Sequence, residues 1–310
     1  MTAPGTNGRS GNILVGAVCA LIVSFALSAS ASAQQVGKRI YISVDMEGIA
    51  GAVAGDQISA TGSEYQAYRK IMVGELLAAI AGAREAGATE FVVSDSHGGM
   101  NNLPIDDLPE DVKLIRGTPR PHGMMEGIDQ GKYDGAMFIG YHSSASNTRG
   151  VRAHTISSAR LSEVKLNGVP ASEGYLNAAL AGQFGVPILL VTGDDAVVEE
   201  LAVLKAEGVA VKRAIGFHAA ESSTPAAARN QIREASRRAV SRIGTYRPFK
   251  LDRSPTVEVT FHFYRPAEIL SWLPTFERSG PRSVRFKSQD MAGAAKLLSF
   301  IMSYSVELEP

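Results

Sequence analysis

From Gly37 onward the chain alternates short β-branched, apolar runs with longer stretches of helical periodicity. Strands are predicted at Arg39–Val44, Glu90–Ser94, Val112–Ile115, Gly135–Gly140, Val186–Val191 and Val209–Lys212. Between them lie amphipathic helices over 64–86, 172–183 and 196–207, the first closed by Ala86-Gly87. Asn167-Gly168, inside the run Leu161–Val169, marks a hairpin. A long helix over 225–242 carries basic residues on its outer side. Apolar strands separated by helices predict a three-layer αβα domain around a largely parallel sheet. The polar stretch Arg247–Pro255 holds two prolines and breaks the pattern. Beyond it, strands at 257–263 and 283–287 and helices at 267–273 and 291–304 predict a smaller C-terminal α/β domain of βαβα order, residues 247–310, after a main domain of residues 34–246.

The first residues follow a different pattern. Residues 1–12 are polar with one cation, Arg9; Ile13–Leu27 is apolar; small residues follow and end in Ala31-Ser32-Ala33. These are the three regions of a secretory signal peptide, residues 1–33, with cleavage after Ala33 and export to the periplasm or medium. The apolar run is short for a stable membrane span. The chain's one cysteine, Cys19, sits inside that run. The mature protein therefore has no thiol, which excludes disulfides, a cysteine nucleophile and thiolate ligands.

Charge adds an exclusion. The 31 basic residues balance the 31 acidic ones, so no bulk charge draws the chain to nucleic acid. No G-x-S-x-G elbow and no glycine-rich phosphate loop is present.

An open parallel sheet binds ligands beyond the carboxyl ends of its strands. Three predicted strands end in ligating residues: Asp45-Met46-Glu47-Gly48, Asp95-Ser96-His97-Gly98 and Tyr141-His142-Ser143. Asp45 and Glu47 face the same side in extended backbone, and two such carboxylates repel unless a cation joins them. Imidazoles with carboxylates suit zinc, and also manganese or iron. Asp45 could bridge two metals about 3.5–4 Å apart. The plain alternative is that Asp45 caps a turn and the histidines are ordinary partly buried residues. Asp95 reads as a partner of His97. Asp194 and Asp195 could bind a substrate ammonium or cap the next helix. His122 reads as surface or cavity rim, His218 and His262 as structural.

The string Tyr41-Ile-Ser-Val-Asp-Met-Glu-Gly-Ile-Ala-Gly51 resembles the opening of the DppA-type D-aminopeptidases. Ser94-Asp-Ser-His-Gly-Gly-Met-Asn-Asn-Leu103, Met125-Glu-Gly127, Phe138-Ile-Gly-Tyr-His142, His154, Gly168-Val-Pro-Ala-Ser-Glu-Gly174 and Val191-Thr-Gly-Asp-Asp195 continue the likeness in order. The resemblance implies two zinc ions per chain. It makes Asp45 the bridge, gives Glu47 and His142 to one metal, and gives His97 and Glu173 to the other. His154 becomes the catalytic histidine, as nucleophile or proton carrier. It further implies an aminopeptidase for short peptides with N-terminal D-residues, such as D-Ala dipeptides, and a ring-shaped, decamer-like homo-oligomer. Another two-metal amidase or esterase, and a non-catalytic periplasmic peptide-binding protein, are the alternative functions on such a scaffold.

Overall fold

The structure is a computed structural model, and it describes residues 37–304 together with Met1 and Thr2. The expected signal peptide lies outside the described residues. Residues 37–304 belong to one compact unit.

Its first half builds β1 (Lys38–Val44), α1 (Gly55–Ile58), α2 (Tyr65–Glu85), β2 (Ala88–Asp95), β3 (Val112–Ile115) and β4 (Gly135–Tyr141). A hairpin of β5 (Leu161–Leu166) and β6 (Val169–Pro170) follows, then α3 (Glu173–Gln183) and β7 (Ile188–Asp194). Next come α4 (Asp195–Glu200), β8 (Glu207–Gly216), β9 (Ala219–Ser222) and α5 (Pro225–Ser241). The last elements are β10 (Thr256–Phe261), α6 (Tyr264–Leu270), β11 (Glu277–Gly280), β12 (Ser283–Lys287) and α7 (Met291–Ser303).

Seven strands form a large sheet in the order β3-β2-β1-β4-β7-β8-β9, parallel except for β9. The expected α/β class and largely parallel sheet are thus observed. Alternation along β1 explains the layering. Ile40, Ile42 and Val44 pack with Met137 and Ile139 against α2 and α5, whereas Tyr41 packs with Phe138 on the opposite face, toward α3. Asp45 continues the parity of Tyr41 and Ser43.

The second sheet, β11-β12-β10-β5-β6, is antiparallel throughout. Its middle strand β10 pairs with β12 on one side and with β5 on the other. The smaller sheet therefore draws strands from both sides of residue 247, and the segment after that break closes its sheet only by taking up the 161–170 hairpin. Val164, Val259 and Phe286 from this sheet share an apolar cluster with Leu176 and Leu180 of α3 and Leu298 of α7.

Element boundaries differ from expectation where the local pattern is weak. β7 starts after Pro187, which has no N–H to give a ladder, and runs on to Asp194. The helix expected over 196–207 ends as α at Glu200 and as a 3₁₀ turn at Leu204, because Lys205 turns left-handed at φ 56°. The unpredicted β9 and β11 are short, polar edge strands stabilised by their neighbours rather than by an apolar period of their own. Among the described residues no helix is long and apolar enough to cross a membrane.

Candidate metal centre

The strand order reverses between β1 and β4, which lie side by side with β2 beyond β1. Such a switch point opens a crevice at the carboxyl edge of the sheet. Asp45 follows β1, His97 follows β2 and His142 follows β4, so all three enter that crevice.

Glycine makes the close approach possible. The Gly48 N–H donates to the Gly140 carbonyl at 2.7 Å, and a Cβ on Gly48 would lie 2.0 Å from the Tyr141 carbonyl oxygen. Gly140 adopts φ +71°, and a Cβ there would lie 2.3 Å from the Asp45 carbonyl oxygen. The β4–β7 register shifts at this point. That shift turns Tyr141 to the same face as Phe138, against which its ring stacks at 4.6 Å.

Lys212 then fixes the turn that carries Glu47. This buried lysine on β8 donates to the carbonyls of Glu47 (2.5 Å), Ile49 (3.1 Å) and Ala52 (2.5 Å). Burial pushes its pKa down to about 8. Buried Glu75 on α2 accepts the Ala50 N–H at 2.8 Å, and burial raises its carboxyl to about 7. Neither residue is at a strand end, so the strand-end logic could not single them out.

Five buried side chains converge in the crevice. Nδ1 of His97 lies 2.9 Å from Oε2 of Glu47 and 3.3 Å from Oδ1 of Asp45. Nε2 of His142 lies 3.5 Å from Oδ2 of Asp45 and 3.4 Å from Oε2 of Glu173. Each imidazole is oriented from behind: His97 Nε2–H donates to the Ile58 carbonyl at 2.7 Å and His142 Nδ1–H to that of Ser143 at 3.0 Å. Glu173 opens α3, whose cap Ser172 accepts the Tyr175 N–H, and its Oε1 accepts the Ile156 N–H at 2.6 Å.

The resemblance paired Glu47 with His142 and His97 with Glu173. The donor atoms group as Asp45–Glu47–His97 and as Asp45–His142–Glu173, all within 4.8 Å in each trio. The position of Asp45 between two imidazoles brings this about, one facing each of its oxygens. Glu47, His142 and His154 form a further trio within the same limit.

The residues fit divalent cations. Asp45 Oδ2 and His142 Nε2 are both buried and have no hydrogen-bond partner, although they face each other. Burial and the Glu47 carboxylate push Asp45 well above the usual carboxylate range. Burial disfavours charge on the two imidazoles, yet Glu47 holds His97 well above its ordinary pKa, and Glu173 holds His142 at about 10. Cations held here would accept lone pairs from these five groups and remove the repulsion between the carboxylates. The donor set, two nitrogens and three carboxylates without sulfur, suits zinc.

His154 stacks on His142 with ring centres 4.1 Å apart and planes 7° from parallel. Its Nδ1–H donates to the Arg152 carbonyl at 2.9 Å, which leaves the Nε2 lone pair facing the crevice, 3.8 Å from Oε1 of Glu173. Burial and the neighbouring His142 lower its pKa, so the ring is neutral near pH 7.

Other expected residues take different places. Asp95 makes no hydrogen bond to the His97 ring. Its oxygens accept Asn102 Nδ2 (2.7 Å) and the Leu103 N–H (2.6 Å), so it braces the loop after His97. Asp194 caps α4 through the Val197 N–H and accepts the Val151 N–H; Asp195 accepts the Ala214 N–H. Capping accounts for Asp194 and a contact with β8 for Asp195, and neither lines the cavity. His122 is buried and lines the cavity, while His218 and His262 are exposed.

The crevice opens into a cavity of ≈ 490 Å³ between the metal edge and the apolar wall of Leu176, Leu180, Met291 and Leu298. A volume of this size suits a ligand of a few residues.

A profile of the D-aminopeptidase family matches residues 38–300. A D-aminopeptidase of Bacillus subtilis (strain 168) is 35% identical over 259 residues, covering 83% of this chain and 93% of that protein. The fold matches the solved structure described as the Zn-dependent D-aminopeptidase DppA from Bacillus subtilis, a self-compartmentalizing protease. The TM-score is 0.79 and the identity 33%, over 86% of this chain and 99% of that one.

Proposed function

The chain belongs to the D-aminopeptidase family, and on that premise we propose that it hydrolyses short peptides with N-terminal D-residues, D-alanyl dipeptides among them, using two divalent cations. One observation carries this reading. Asp45 offers its two oxygens to two imidazole–carboxylate pairs, so a single residue can join both cation positions. Zinc is the first choice, given the donor set and the zinc dependence named for the solved relative.

Asp45, Glu47 and His97 would hold one cation, and Asp45, His142 and Glu173 the other. Bound there, the cations supply Lewis acidity toward the scissile carbonyl and an anchor for the free amine. The protein's own groups do the rest. His154 presents a neutral Nε2 to the reacting carbonyl; attack on carbon and acceptance of a proton use that same lone pair. The apolar wall of α3 and α7 excludes water around the substrate side chains. Protein loaded with zinc should hydrolyse D-alanyl-D-alanine at least about tenfold faster than the L,L isomer, a margin of roughly 1.4 kcal/mol. Equal rates on both isomers would remove the D-preference, and no hydrolysis of either would remove the peptidase reading.

Two further proposals rest on separate observations. Export follows from the Ala31-Ser32-Ala33 motif. Sequencing of the secreted protein should begin at or near Gln34, and an intact Met1 there would contradict it. Self-assembly into a ring, as the resemblance implies, is supported by exposed Phe263, Tyr264, Trp272 and Leu273, large apolar side chains gathered in and just beside α6. Sedimentation should give a species several times the mass of one chain; a plain monomer at working concentration contradicts it.

A further inference from the structure

The cavity is electrically polarised. Its floor carries the carboxylates of Asp45, Glu47 and Glu173, matched to cations and to a substrate amine. Two arginines line it elsewhere. Arg120 is buried and its guanidinium is committed inward, to Ser94 Oγ at 3.2 Å and to the Asp95 carbonyl at 2.7 Å. Arg160 is different. It is exposed, it lines the same cavity, and one of its guanidinium nitrogens, Nη1, donates to the Met302 carbonyl near the end of α7 at 2.8 Å. Among the described residues it has no carboxylate partner within 4.0 Å.

The backbone holds Arg160 against the site. It ends the loop that starts at His154, and that loop is fastened to Glu173 through the Ile156 N–H. The Arg160 N–H donates to the Ser157 carbonyl, and its own carbonyl accepts the His262 N–H at 3.0 Å. The side chain is thus fixed at both ends, by the loop and by α7, with further N–H groups left for a ligand. A guanidinium with two parallel donors suits a carboxylate better than any other common substrate group.

Resting on the peptidase reading above, we propose that Arg160 is a specificity-determining residue that binds the free C-terminal carboxylate of a short peptide while the amine end sits at the metal floor. A dipeptide is a zwitterion whose polarity matches that of the cavity. The arrangement favours substrates with a carboxylate a residue or two beyond the scissile bond, and it disfavours blocked or long chains without any steric gate.

The test compares D-alanyl-D-alanine with its C-terminal amide, using zinc-loaded wild type, Arg160→Gln and Arg160→Lys. Gln removes the charge but keeps a donor for the Met302 carbonyl. Arg160→Gln should raise KM for the free acid about tenfold, with kcat within about twofold, because an exposed charge-assisted contact is lost without touching the reacting atoms. KM for the amide should not change, and Arg160→Lys should recover part of the loss for the acid. Equal rises in KM for acid and amide would overturn the proposal by showing a role confined to bracing α7, as would no rise for either. If wild type hydrolyses neither compound, the peptidase reading falls and the subsite falls with it. If wild type hydrolyses the amide as efficiently as the acid, only the subsite falls.

Discussion

Asp45→Ala protein is expected to hold neither cation and to lose peptidase activity by about 10³-fold or more, the scale of several kcal/mol of Lewis-acid stabilisation. The expectation follows from the two faces of one carboxyl group. Oδ1 lies 3.3 Å from the His97 imidazole and Oδ2 lies 3.5 Å from that of His142, so removing Asp45 takes a ligand from both trios. The histidines should behave differently. His97→Ala leaves Asp45, His142 and Glu173 intact, and His142→Ala leaves Asp45, Glu47 and His97 intact. Metal analysis should therefore find about one equivalent in each histidine variant and close to none in Asp45→Ala. Asp45→Asn is the control for folding, because the Met46 N–H that Oδ1 now accepts can still be satisfied by an amide oxygen. One full equivalent retained in Asp45→Ala would show that the aspartate does not bridge.

His154→Ala should lower kcat by about 10²–10⁴, the range for a positioned proton-transfer group, while both metals stay bound. The separation of the two effects is what the geometry supplies. Nδ1 of His154 is tied to the Arg152 carbonyl and its ring lies flat on His142, so its Nε2 is aimed without being needed to complete either Asp45 trio. Burial and the neighbouring His142 keep the ring neutral near pH 7, the form that can attack or accept a proton. Near-normal kcat in the variant would show that the chemistry proceeds without it. Loss of a metal would place His154 among the ligands, through its trio with Glu47 and His142.

The large sheet and the cluster at its carboxyl edge were readable from the chain because both rest on local pattern. Apolar strands predict a parallel sheet, a parallel sheet has one functional edge, and Asp45, Glu47, His97 and His142 stand at the ends of strands on that edge. Glu173 could not be found this way. It opens a helix, and it reaches the site only because α3 packs across the sheet; the family likeness alone pointed to it. Lys212 and Arg160 carried no signal in the sequence, since a lysine in mid-strand and an arginine before a hairpin are ordinary until tertiary contacts show what they face. Asp95, Asp194 and Asp195 mislead for the opposite reason. They sit at strand ends as the candidate ligands do, but turns and helix starts need carboxylate acceptors at the same places. The partition of the small sheet was hidden because pairing between β5 and β10 joins segments about ninety residues apart, which no local period records.

Between Tyr141 and Glu173 the chain leaves the large sheet, forms the outer hairpin of the small one and returns. His154, Arg160 and Glu173 all ride on this excursion, whereas Asp45, Glu47, His97 and His142 are rooted in the large sheet. In the proposed reaction the reacting groups are thus shared between two mechanical parts, and alignment across the seam would set the rate. Core positions in the small sheet, such as Val259 and Phe286, hold the excursion against α3 and would thereby aim His154. Loosening them is expected to misdirect the imidazole, read as a fall in kcat, before it unfolds the protein.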